Sequence, residues 1–416
     1  MNPMATVVLL GTLDTKGAEY AYLRDQITQH SDCDVVIVDA GVLGEPQTTA
    51  DISRHDVARA AGTTIDDLVA ANDRGAAVAA MADGASKIVS DLFAAGRLQG
   101  ILGLGGSGGT SLVTHAMQAL PVGVPKLMVS TVASGDTRPY VGAVDITMMY
   151  SVVDIAGINR ISARILGNAA AGIAGMATAY AVPLPDMGNK PLIGATMFGV
   201  TTPSVTKARE LLEAKGYEVL VFHATGAGGQ SMEALVSGGF LDGVLDITTT
   251  ELADDLVGGV FSAGPDRMKA TCQSGLPQVV SLGALDMVNF GPKDTVPGRF
   301  RDRNLYVHNP SVTLMRTTPE ECAELGRRIG VRLSAATGPV ALFIPRGGVS
   351  AIAVEGGVFH DPEADTALLQ SLMENLGDNV DVHDLAYDIN DPRFATAMAD
   401  RMAELVSRES SSENKA

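Results

Sequence analysis

One pattern constrains the fold more than any other: short apolar runs, each ending in a glycine- or threonine-rich turn, separated by stretches of helical spacing. Runs this short read as strands, and strands alternating with helices build βαβ units around a parallel sheet. Val7–Leu10 reads as the first strand and ends in the polar loop Gly11–Gly17. A helical pattern follows over Glu19–Gln29, then a second strand, Val35–Val38, and the turn Asp39-Ala40-Gly41. The Ala-rich stretch from Asp56 to Ala95 predicts helices broken near Asp83-Gly84, and Gly100–Leu104 and Lys126–Ser130 read as the third and fourth strands. Val152–Ala181 has no proline and predicts a long helix, or a helix pair, joining two halves.

Prolines at 183, 185 and 191 disfavour helix and strand alike and set a boundary there. The second half then restarts in the same way. Leu192–Met197 is a strand ending in Gly199–Ser204, Val205–Lys215 a helix, Glu218–Phe222 a strand, and His223–Gly229 another glycine turn. The echo is one of architecture, not of residue identity. The expected fold is α/β: two Rossmann-like, doubly wound domains with mainly parallel sheets facing a cleft, over 1–185 and 191–406. The polar residues 407–416 are expected to be disordered.

A chain of 416 residues exceeds one ordinary core. Its 46 glycines, about 11% against a usual 7%, show no collagen-like period and fit many tight turns. Aromatic residues are 4% and tryptophan is absent, so a base-stacking platform is not expected. The net charge of −18 disfavours nucleic acid and anionic membrane as partners, so an anionic ligand must be held by backbone dipoles and a few cations. The N-terminus MNPMATVVLLG lacks a basic signal region, and no apolar run is long enough to span a bilayer. Cys33, Cys272 and Cys322 are isolated and form no metal-binding spacing. A reduced, cytoplasmic setting is the plain expectation.

The sharpest local feature is Gly103-Leu104-Gly105-Gly106-Ser107-Gly108-Gly109-Thr110-Ser111, between an apolar strand and a helix expected to begin near Ser111. Glycines let backbone amides approach an anion at a helix N-terminus, so the loop reads as a phosphate cradle, with a purely structural turn as the alternative. Gly103, Gly105 and Gly108 formally satisfy G-x-G-x-x-G, but no acidic residue follows at the next strand as a dinucleotide site requires. The other strand ends complete a possible site, because ligands of parallel sheets bind there. Gly11, Thr12, Asp14 and Lys16 lie at one. Lys16 is placed to meet a phosphate and Asp14 to hold Mg²⁺ through water, or Asp14 caps the next helix and Lys16 is solvated. Asp39, beside Gly41, could accept a ribose hydroxyl or be a turn residue, and Thr131, Ala133, Ser134 and Gly135 close the fourth strand.

In the second half, Thr248-Thr249-Thr250-Glu251 reads as a capping box. His223, Arg316 and Arg346 are the catalytic or substrate-contacting candidates: a histidine at a glycine turn, and two arginines able to fork onto an anion or to pair with carboxylates of this acidic chain. Asp286–Gly291 and His308-Asn309-Pro310 are polar islands between apolar runs.

GTLDTKGAEY, LGLGGSGGTSL, VPKLMVSTVASGDT, DITMMYSVVDIAGINRIS, FGVTTP, VFHATGAGG, LDITTTELADDL, GALDMVNFG and HNPSVTLMRTT together resemble the tomato mosaic virus inhibitor-like ATP-binding domain family of bacteria and plants, over Thr6 to Asp391. The resemblance implies ATP binding, a Rossmann-like first domain and self-association. Plant members of the family carry this region fused to a TIM barrel, so a separately encoded TIM-barrel partner is a further expectation. An antiviral role does not carry over, since no residue motif matches it. The expected function is an ATP-binding protein, extended to an ATP-dependent enzyme on a small anionic metabolite. The alternatives are a nucleotide-sensing module without turnover or, less favoured, a dinucleotide-dependent enzyme.

Overall fold

The computed structural model describes residues 4–183 and 190–413, with the backbone alone from 409. The chain divides into two compact units, Met1–Met187 and Gly188–Ala416. The first contains β1 (Thr6–Gly11), α1 (Leu13–His30), β2 (Asp34–Asp39), α2 (Arg54–Ala60), α3 (Ile65–Ala71), α4 (Arg74–Ala94), β3 (Gly100–Gly105), α5 (Ser107–Gln118), β4 (Lys126–Ser130), α6 (Arg138–Val141), β5 (Ile146–Tyr150) and α7 (Arg160–Tyr180). Its five strands are parallel in the order β2-β1-β3-β4-β5. Because side chains alternate along a strand, Val7 and Leu9 pack with α1 and α7 on one face. Val8 and Leu10 pack with α2 to α5 on the other. This is a doubly wound, Rossmann-like sheet.

The second unit begins with β6 (Leu192–Met197), α8 (Thr202–Ala214), β7 (Glu218–His223), α9 (Ala227–Ser237), β8 (Gly243–Thr248), α10 (Glu251–Val257), α11 (Lys269–Gln273) and β9 (Gln278–Gly283). A three-stranded antiparallel sheet of β10 (Met287–Phe290), β11 (Leu305–Asn309) and β12 (Val312–Arg316) follows, with β12 in the middle in the order β10-β12-β11. The unit closes with α12 (Pro319–Ser334), β13 (Val340–Pro345), α13 (Pro362–Glu374), β14 (Val380–Leu385) and α14 (Pro392–Glu413). Its main sheet is parallel in the order β14-β13-β9-β8-β6-β7, with α8 and α14 packed on one face. Counted from the first strand of each unit, both sheets run 2-1-3-4-5, and the second adds a sixth strand.

Several expectations need correction. α4 does not break at Asp83-Gly84; it runs on because Gly84 packs against α2, where an added Cβ would stand 2.1 Å from the Val57 carbonyl oxygen. The breaks fall earlier, at Gly62, at Asn72 with φ 49°, and at the capping residue Asp73. The helix expected from Val152 begins only at Arg160, where Asn159 caps it. α1 begins at Leu13 and takes in the residues expected as a loop, with a kink at Lys16. The tail expected to be disordered from 407 is helical to Glu413, since neither glycine nor proline ends α14. The proline-rich boundary lies largely outside the described residues.

Candidate functional site

In a sheet of order 2-1-3-4-5 the helical crossovers change sides between β1 and β3, leaving a crevice at the carboxyl ends of these strands. A cavity of about 360 Å³ occupies that position in the first unit. Tyr20 sets the crevice from below: buried, its hydroxyl donates to the Leu10 carbonyl and accepts from the Leu104 amide at 3.0 Å. Gly11 is glycine for this reason, because the Tyr20 hydroxyl stands 1.9 Å from where its Cβ would be.

The glycine loop forms one wall. Gly106 is the N-cap of α5 and supplies no side-chain acceptor, so the amides of Ser107, Gly108 and Gly109 have no intrahelical partner. None of these glycines has positive φ, and close approach sets the identity of Gly103 and Gly105 alone. At Gly105 an added Cβ would lie 3.0 Å from Gly109 Cα, whereas at Gly106 its nearest neighbour would be Thr131 Oγ1 at 3.7 Å. Thr110 is buried behind the loop, its hydroxyl 2.7 Å from that of Ser130, and the Thr131 amide donates to the Gly105 carbonyl at 3.2 Å.

Thr12, Asp14, Lys16, Gly105, Gly106, Ser107, Gly108 and Gly109 are thus brought together around one cavity, as expected from the strand ends. Gly11, Asp39, Gly41, Thr110, Thr131, Ala133, Ser134 and Gly135 do not line it. Asp39 is the clearest correction. It is 1% exposed, and its Oδ1 accepts from the amides of Leu13 at 3.0 Å and Gly41 at 2.9 Å. Burial raises its pKa above the usual carboxylate range, against the pull of those amides. It ties the start of α1 to the turn after β2 and does not line the cavity. Asp14 caps no helix end; its Oδ2 accepts from the amides of Leu43 at 2.7 Å and Gly44 at 3.3 Å, while Oδ1 is buried without a partner. The Lys16 ammonium donates to the Ile155 carbonyl.

The residues the sequence did not point to are Arg74, at the start of α4, and Asp154, between β5 and α7. Asp154 lies in a stretch that reads as helix. The backbone there turns at Val152, a β-branched residue held at φ 63°, a strained conformation. Val42, Leu43, Val78, Met81 and Leu112 give the cavity an apolar wall. A groove of about 630 Å³ adjoins it along α4 and α5 and shares Arg74, Val78, Ser107 and Gly108. His115 and Asp83 line the groove, with Nε2 3.0 Å from Oδ1.

The candidates of the second unit are not assembled. His223 is exposed at the end of β7, one edge of the sheet, and Arg346 follows β13 near the other edge. Four strand spacings separate β7 from β13, roughly 19 Å. Arg346 forks onto Asp384 at 2.7 and 2.6 Å, and buried Arg316 pairs with Asp365 at 2.8 Å and donates to the Phe359 carbonyl at 2.8 Å. Both arginines are therefore structural ion-pair partners. Nor is Thr248–Glu251 a capping box: Thr250 makes no side-chain cap, and Glu251 is fully buried against Arg267 at 2.7 Å. The polar islands likewise serve packing, with Asn289 donating to Asp254 at 2.6 Å and Ser350 to Asp286 at 2.8 Å, while His308 is exposed. Among the described residues no group of three or more metal-ligating side chains is present, and no helix is long and apolar enough to cross a membrane.

Family models match both units: the Uncharacterised protein family (UPF0261) N-terminal domain over residues 5–182 and its C-terminal domain over 190–406. The chain belongs to the UPF0261 family. A UPF0261 protein of Clostridium tetani (strain Massachusetts / E88) is 53% identical over 403 residues, 97% of this chain and 99% of that protein. The ToMV resistance protein Tm-1(GCR237) of Solanum lycopersicum is 42% identical over 424 residues, 96% of this chain but 55% of the tomato protein. The resemblance read from the sequence is therefore to this family, which reaches into plants. Among solved structures, UDP-GlcNAc 2-epimerase from Neisseria meningitidis bound to UDP-GlcNAc aligns with 96% of this chain and 100% of its own, at 9% identity and a TM-score of 0.26. That likeness is too slight to bear on either fold or function.

Proposed function

We propose that this UPF0261 protein binds ATP, with its phosphates on the amides that open α5 and its nucleoside against the apolar wall of the same cavity. One observation carries the reading: at the β1/β3 switch point, where doubly wound sheets bind their ligands, uncapped amides of a glycine loop face a cavity of about 360 Å³. The family resemblance supports the choice of ATP. Mg²⁺ would be held by the phosphates together with Asp14 or Asp154, the two carboxylates on the cavity wall. A dinucleotide is less favoured, because Asp39, the acid at the end of β2, is buried and does not line the cavity.

The adjoining groove favours an ATP-dependent enzyme over a sensing module, since it leaves room for a small anionic metabolite beside the phosphates. His115 lies eight residues along α5 from Ser107, about 12 Å away along the axis. That distance suits an anchor for the far end of the metabolite better than a base at the phosphate. Isothermal titration of the protein with ATP and Mg²⁺, with NAD in parallel, tests the central claim. Saturable ATP binding is expected. Binding of NAD without ATP would overturn the reading and move the chain to the dinucleotide class.

A further inference from the structure

The sequence offers Lys16 as the cation for a phosphate, but its ammonium is engaged by the Ile155 carbonyl. Arg74 stands on the opposite side of the cavity, against the glycine loop: an added Cβ at Gly108 would lie 3.8 Å from Arg74 Nη2. Among the described residues Arg74 has no ion pair. Some exposed arginines pair, as Arg138 does with Asp136, Arg346 with Asp384 and Arg393 with Asp391, while others among the described residues, such as Arg97 and Arg160, are unpaired on open surface. What sets Arg74 apart is its place: it lines a cavity beside a glycine loop at a helix N-terminus.

The surroundings sharpen the point. Arg74 sits in the first turn of α4 and close to the first turn of α5, so two helix ends of positive partial charge lie near its own. The adjacent acid, Asp73, caps α4, its Oδ1 accepting from the Ala76 amide at 3.0 Å, and makes no ion pair with Arg74. Across the cavity, Asp154 accepts from the Ile155 amide at 2.9 Å. The guanidinium therefore lines the cavity without a direct ion pair, on the side of the glycine loop, while the cavity's two carboxylates, Asp14 and Asp154, are held by backbone amides.

We propose that Arg74 forms the subsite for the terminal phosphate of a nucleoside triphosphate. The proposal rests on the nucleotide reading above and adds a specificity to it. Arg74, Ser107 and Gly108 line both the cavity and the groove, so they mark the opening between the two. A nucleotide whose phosphates lie along the first turn of α5 has its last phosphate at that opening. A guanidinium there can fork onto two phosphate oxygens, a contact that a diphosphate cannot complete.

The test compares ATP and ADP titrations of the wild-type chain, Arg74→Ala and Arg97→Ala. Arg97 is an exposed arginine just before β3, at the end of the sheet remote from the cavity, and controls for the loss of one positive charge. Wild type is expected to prefer ATP, and Arg74→Ala to lower ATP affinity about tenfold or more, the effect of one charge-assisted fork. ADP affinity should change much less, and Arg97→Ala should match wild type. A folded Arg74→Ala variant, checked by circular dichroism, with the wild-type ratio of ATP to ADP affinity overturns the subsite and leaves the nucleotide reading intact. If the wild-type chain binds neither nucleotide, the nucleotide reading itself fails.

Discussion

Two helices of this chain begin in glycine-rich turns, and their N-termini meet opposite fates. At the start of α9, Glu251 Oε1 accepts from the amides of Gly226 at 2.7 Å and Gly229 at 3.0 Å, and Arg267 balances its charge. The second unit thus fills its glycine cradle with a carboxylate of its own and adds a buried cation. At the start of α5 the cradle is present and Arg74 lies beside it, but no carboxylate enters. The same backbone device is filled where the protein supplies the anion and, on the reading proposed above, takes a ligand where it does not. The comparison also shows why a glycine-rich turn alone says little about function: what decides is whether an anion of the protein already occupies it.

The largest effect should come from breaking the filled cradle. Arg267 is 1% exposed and bonds Asp246 at 2.8 and 2.7 Å, Glu251 at 2.7 Å and Glu233 at 3.3 Å. Arg267→Ala would leave these carboxylates buried without a counter-charge, a loss of about 3–5 kcal/mol in the second unit. Urea unfolding measures it. A loss well under about 1 kcal/mol would mean that the carboxylates are neutral in the folded state, and the filled half of the comparison would then collapse.

A smaller effect should appear in the pH dependence one turn further along α10. Burial pushes Asp254 up to about 7, against the opposing pull of its hydrogen bonds from Asn289. Its folded value lies above the unfolded one near 4, so between these values the folded state binds more protons. The contribution is fully present at acid pH and is lost as pH rises through about 7. Urea midpoints at about pH 5 and about pH 8 should show a loss on the order of 2 kcal/mol in wild type that Asp254→Asn lacks. An equal loss in the variant would remove Asp254 as its source. The α5 loop contains no acid, so nothing in that loop should add to this slope.

Much of this was legible in the sequence. β4 and β6 fall where their apolar runs place them, and β1, β2 and β3 within a residue or two at each end. The strand before the glycine loop ends within a residue of its expected end, while α5 begins at Ser107, inside the loop and four residues before the expected start near Ser111, because Gly108 and Gly109 enter the helix. What fails is whatever depends on a partner distant in sequence. Asp39 looks like a free strand-end acid until α1 comes back to take its carboxylate. Gly84 looks like a helix break until α2 packs on it. β5 is missed because Ile146–Tyr150, a half-buried edge strand with two methionines, has no clear period. Arg74 carries no motif, and its meaning lies in its place on the cavity beside the glycine loop, which only the assembled unit reveals.

The smallest change in the chain is also the most direct test of the comparison. Gly106→Asp would give α5 the internal anion that α9 already has. Space allows it: Gly106 has φ −78°, and its added Cβ would meet Thr131 Oγ1 at an ordinary 3.7 Å. Asp is also a favourable N-cap, worth a few tenths of a kcal/mol over glycine, so unfolding is not expected and a slight gain in stability is. The new carboxylate would occupy the position proposed for a phosphate and repel one that approaches. ATP affinity measured by calorimetry should fall at least about tenfold while the thermal midpoint holds or rises. Unchanged ATP affinity in this folded variant would place the nucleotide elsewhere, and the two glycine turns would then differ in packing alone.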